Sequence, residues 1–82
     1  MSPVDNYLQE ILPLLIERGR EARAKRDVSR KRGDSEQTAL DSGRALGYYE
    51  VLSTMVNQLR VFGLSAASFG VPTDFDPDRD LA

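Results

Sequence analysis

The sequence predicts an all-α fold: an antiparallel two-helix hairpin with a short C-terminal helical turn and an acidic tail. Three observations carry that expectation. Apolar residues recur at Ala45, Tyr48, Leu52, Met55, Leu59 and Phe62, with alternating gaps of three and four that trace a heptad seam. Val4, Leu8, Ile11 and Leu15 repeat the same rhythm near the start, flanked by Tyr7, Leu12 and Ile16. Between the two patterned stretches stands Gly33-Asp34-Ser35, a stop followed by a start. A connection that short makes the two helices antiparallel neighbours.

Helix 1 is expected over about residues 3–32. Ser2 can cap it, Pro3 suits the first helical position, and Asp5 places negative charge at the positive end of the helix dipole. Pro13 lies inside the pattern, where it removes one backbone hydrogen bond. The apolar register continues across it unchanged, so a kink is preferred over a break. Past Leu15 the register runs into Arg18, Ala22, Lys25 and Ser29, and the apolar face fades. Good helix formers and the pairs Glu21–Lys25 and Asp27–Lys31 keep this half helical.

Helix 2 is expected over about residues 35–62. Tyr49 and Val56 widen its seam, while Ala39, Gly43 and Gly47 form a stripe of small residues beside it. Glycine inside a helix costs roughly 1 kcal/mol relative to Ala, so close approach of another backbone is the expected return. Gly63 ends the helix, a short turn follows over residues 65–69, and Asp76-Pro77 reads as a cap with a first-position proline. The organisation is thus a helical hairpin domain at 1–72 and an acidic tail at 73–82. Antiparallel pairing brings the two apolar halves together at the open end and the two polar halves together at the tip.

Composition bounds the function. Eighty-two residues make one domain at most, with a core that needs reinforcement. There is no Cys and no His, which removes disulfides, thiolate metal sites, the usual general base and the commonest metal ligand. No carboxylate pair shares an apolar surface, and no glycine loop is spaced to cradle phosphate. The chain is therefore expected not to be an enzyme and to need no cofactor, metal or small-molecule substrate. No basic leader precedes an apolar run, and the longest apolar patch, residues 11–16, is far short of the roughly 20 residues that span a bilayer. A cytoplasmic location with no membrane contact is expected.

The net charge of −2 hides a strong segregation: residues 18–32 hold eight of the eleven basic residues, and residues 74–80 hold four of the thirteen acidic ones. Arg20, Arg23, Arg26 and Arg30 are the candidate face for a protein partner or a nucleic acid. The bland alternative is a solvated helix face, and no aromatic residue lies between Arg18 and Arg32 to stack on a base. The aspartates at 74, 76, 78 and 80 lack the glycine and glutamate of a calcium loop. A cap, a solubilising tail, or a clamp on the basic face anchored by Phe75 and Leu81 fits them better. With no apolar periodicity, the tail is expected to matter more for solubility and partner choice than for the fold.

The apolar faces are wider than one neighbouring helix can cover. The expected remedy is a homodimer, a four-helix bundle whose interface takes Leu8, Ile11 and Leu15 from helix 1 and Tyr48, Leu52, Met55, Leu59 and Phe62 from helix 2. The functional expectation is a non-catalytic protein–protein interaction module, a small homodimeric adaptor or regulator with a possible further protein partner. The alternative is a small nucleic-acid-binding regulator using the basic face of helix 1.

Overall fold

The computed structural model describes residues 2–82 and contains two long helices packed side by side. Helix α1 runs Pro3–Arg32 and α2 runs Ser35–Val61. A 3-10 turn follows at Ala66–Phe69, then a one-turn helix, α3, at Pro77–Asp80. The start of α1 is fixed by a reciprocal cap: Asp5 donates its N–H to the Ser2 hydroxyl, and Ser2 donates its N–H to the Asp5 carboxylate. Gly33, at a φ of 73°, supplies the left-handed residue that closes α1. Asp34 caps α2 by accepting from the Gln37 N–H at 3.1 Å.

Pro13 does not interrupt α1, which continues through it as one helix. Its ring faces the segment after the 3-10 turn. A Cβ added at Gly70 would stand 2.7 Å from Pro13 Cγ and 3.1 Å from the Gln9 carbonyl oxygen, and Gly70 holds a φ of 82°. Only glycine meets both conditions. Gln9 Nε2 donates to the Ser68 carbonyl at 2.9 Å and ties the turn to α1.

The core runs the length of the hairpin as a narrow strip. On α2 it follows Ala45, Leu52 and Leu59, each seven residues from the next and each buried. On α1 the fully enclosed residues are Leu12 and Ile16, with Leu8, Ile11 and Leu15 half-buried beside them. The centre of the α1 face is thus turned by one residue from the Leu8–Ile11–Leu15 line that the spacing favours. The cause is tertiary: the turn at 66–69 and the C-terminal segment press on the Leu12–Ile16 side, through Phe69, Val71 and Leu81. Toward the tip the strip narrows to Gly19, Ala22 and Ser29. Buried Ser29 donates to the Asp41 carboxylate, which also accepts from Gln37 Nε2 at 3.0 Å, so a polar tie joins the helices beside the connecting loop.

The expected return on the α2 glycines is not made within the chain. A Cβ at Gly43 or Gly47 would meet nothing within 4 Å. The close approach occurs instead at Gly19, where a Cβ would stand 3.0 Å from Leu81 Cδ2 and 3.4 Å from Tyr48 Cβ.

Candidate interaction surface

The hairpin has two broad sides, and only one is covered. On the covered side, residues 73–82 lie along both helices. Leu81 is 1% exposed, seated on Gly19, and Phe75 is half-buried. Around these apolar anchors the polar groups engage in order. Tyr49 donates its hydroxyl to the Asp78 carboxylate. Arg23 Nη1 donates to the Arg79 carbonyl at 2.7 Å. The Arg20 guanidinium carbon lies 5.7 Å from the centre of the Phe75 ring, within cation–π range. Arg26 pairs with Asp27 at 3.2 Å and has its other contact, at 3.5 Å, on the Ala82 carbonyl.

Three of the four arginines of the candidate partner face, Arg20, Arg23 and Arg26, therefore lie against the chain's own C-terminal segment, and Arg30 stands exposed beside it. The segment anchors by two apolar side chains and wraps its acidic stretch over the arginines. Within it, Asp80 accepts from Arg79 Nε at 2.9 Å and from the Asp76 N–H at 3.0 Å. Those two bonds hold its carboxyl at about 2, below the usual carboxylate range, with the Arg79 hydrogen bond the larger cause. The Tyr49 hydroxyl is shifted up, because ionising it would lose the bond to Asp78 and set two anions together.

The opposite side is bare. On α1 its edge follows Val4, Ile11, Arg18, Lys25 and Arg32, each seven residues from the next. On α2 it follows Gln37, Arg44 and Val51, and Asp41, Tyr48, Met55 and Phe62, again seven apart. Arg18, Lys25, Arg44 and Tyr48 line one depression between the helices, which places the two edges on the same side. The base end of this side is apolar: Val4, Val51 and Phe62 are exposed, Phe62 by 75%, and Ile11, Leu15 and Met55 are half-buried. The tip end is cationic.

The residues expected at a dimer interface divide accordingly. Leu52 and Leu59 are enclosed within the hairpin's own core. Leu8, Ile11, Leu15, Tyr48 and Met55 are half-buried, and Phe62 is exposed. Val4 and Val51 join the same surface. Their seven-residue offsets from Ile11 and from Arg44 are the sequence signal for them.

Among the described residues no group of three or more acidic side chains is arranged to hold a metal ion, and no helix is long and apolar enough to cross a membrane. A scan against protein-family models finds no match, and searches of curated proteins and of solved structures find none either.

Proposed function

We propose that this protein is a non-catalytic protein–protein interaction module, acting as a homodimer in an adaptor or regulatory role. The observation that supports this reading is the apolar base of the uncovered side: Ile11, Leu15, Val51, Met55 and Phe62, with Val4 at its end. A patch of this kind on a small helical chain marks a protein interaction site. Surface area points the same way. A compact 9.1 kDa monomer exposes about 4,900 Å², whereas this chain exposes 5569 Å². The surplus of about 700 Å² is close to the roughly 800 Å² each partner buries in a standard interface. Elongation accounts for it: the radius of gyration is 14.3 Å, against about 12 Å for a compact domain of this length.

Base-to-base association of two copies leaves both charged tips outside. It completes a four-helix bundle by giving each Phe62 and Met55 an apolar neighbour. The nucleic-acid reading has less support, because Arg20, Arg23 and Arg26 are engaged by the C-terminal segment. The test is sedimentation equilibrium at micromolar concentration. The parent should sediment at twice the 9.1 kDa chain mass. Phe62→Asp should sediment as a monomer with its helical circular dichroism retained, since Phe62 makes no part of the hairpin's own core. A parent that stays monomeric while fully helical overturns the proposal.

A further inference from the structure

The tip half of the uncovered side has a different chemistry, and we propose that it is a docking groove for an acidic amphipathic helix of a partner protein. The groove lies between α1 and α2, encloses about 460 Å³, and is lined by Lys25, Val28, Arg32, Gln37, Asp41 and Arg44 among others. It shares Lys25 and Arg44 with the second depression, which extends it to Arg18 and Tyr48. From Arg18 to Arg32 the α1 edge measures about 21 Å, the length of two heptads or about four helical turns.

Four cations line this length: Arg18, Lys25 and Arg32 at seven-residue intervals on α1, and Arg44 across from them on α2. None of the four belongs to a salt bridge among the described residues, where the ion pairs are Arg26–Asp27 and Arg79–Asp80. Two acids face them. Asp41 is already bound by Ser29 and Gln37, which with Lys25 and Arg44 nearby hold its carboxyl below the usual range. Glu21 is the other. Four cations against these two carboxylates leave a net charge of +2, carried by the α1 wall, because Arg44 and Asp41 balance each other on α2.

Apolar surface lies on the α1 wall beside the cation row, where Val28 is 47% exposed and Ala24 is exposed, while the buried residue of the groove's lining is Ser29. A ligand that satisfies both features carries carboxylates at seven-residue spacing and apolar residues between them. A third helix laid along the α1 wall has that repeat, with one flank opposite the cations and its apolar positions against Val28 and Ala24. A phosphate backbone fits less well. Glu21 and Asp41 would repel it, and the apolar part of the wall offers aliphatic side chains where a strand of bases needs aromatic ones.

This docking site does not depend on dimerisation at the base, because the two ends of the side use different residues. The probe is a fluorescein-labelled peptide of three heptads with Leu at the seam positions and Glu at the flanking ones, followed by anisotropy at low salt. A second peptide replaces every Glu by Gln, and a labelled single-stranded oligonucleotide of similar length serves as rival. The Glu peptide should bind, the Gln peptide should bind at least tenfold more weakly, and the affinity should fall steeply with salt. Lys25→Ala combined with Arg44→Ala should loosen the Glu peptide at least tenfold with the circular dichroism unchanged. Arg30→Ala, on the covered side, should change it less than twofold, and monomeric Phe62→Asp should keep it. No binding at low salt, equal binding of the two peptides, equal loss from Arg30→Ala, or tighter binding of the oligonucleotide would each overturn the proposal.

Discussion

Leu81→Ala tests whether the C-terminal segment belongs to the folded unit. Leu81 is 1% exposed and packs on the one buried glycine of α1. Truncating a buried Leu to Ala costs about 2–5 kcal/mol, less where the surroundings can collapse. The segment carrying Leu81 is held from one side only, so about 2–3 kcal/mol is the expected loss. In a domain of this size each kcal/mol moves the melting temperature by about 4–8 °C, which predicts a drop of about 10–20 °C. Thermal melts followed by far-UV circular dichroism, at matched protein concentration, read it. Leu40→Ala, at a 70% exposed position, should stay within about 0.5 kcal/mol of the parent and serves as control. Gly19→Ala sharpens the test through its sign. Alanine gains about 1 kcal/mol of helix propensity over glycine, but here its methyl meets Leu81 Cδ2 at 3.0 Å. In the parent that crowding offsets the gain. In the Leu81→Ala background the crowding is gone, and Gly19→Ala should stabilise by up to about 1 kcal/mol. A Leu81→Ala melt indistinguishable from the parent, or a Gly19→Ala effect identical in both backgrounds, would refute the packing argument.

Other expectations follow from single features. Acid should loosen α3: the Asp80 carboxyl is depressed to about 2, so its contribution is fully present above the ordinary carboxylate pKa of about 4 and is lost as the pH falls toward 2. Amide exchange at α3 should rise over that window, and Asp80→Asn should abolish the pH dependence. Tyr49 works from the alkaline side: its pKa is raised, so the bond to Asp78 is intact below about 10 and is lost as the pH climbs through the shifted value. Ultraviolet titration should show one tyrosine ionising earlier in Asp78→Asn than in the parent. Gly43→Ala and Gly47→Ala meet nothing within 4 Å and should each stabilise the chain by about 1 kcal/mol. A loss of stability at either would mean that another backbone packs there.

The hairpin is legible in local signals alone. Ser2-Pro3 and Gly33-Asp34 act through their own backbone neighbours, so they bound α1 at Pro3–Arg32 wherever the chain packs. The seven-residue recurrence of Ala45, Leu52 and Leu59 likewise survives into the core, because a helix carries its period with it. Which flank of each helix is shut follows only from how the distant segments pack. Arg20 and Arg23 belong to the same basic run of α1 as Arg18 and Lys25, set apart from them by position in the turn. Yet the first pair lies beneath Phe75 and Arg79 while the second pair lines an open groove. The tail has no periodicity to announce its path. Its seat exists only because Gly19 removes a side chain from α1 at the level where Leu81 arrives, some sixty residues later in the chain. A vacancy of that kind is made by two distant segments together, and neither carries a local signal for it.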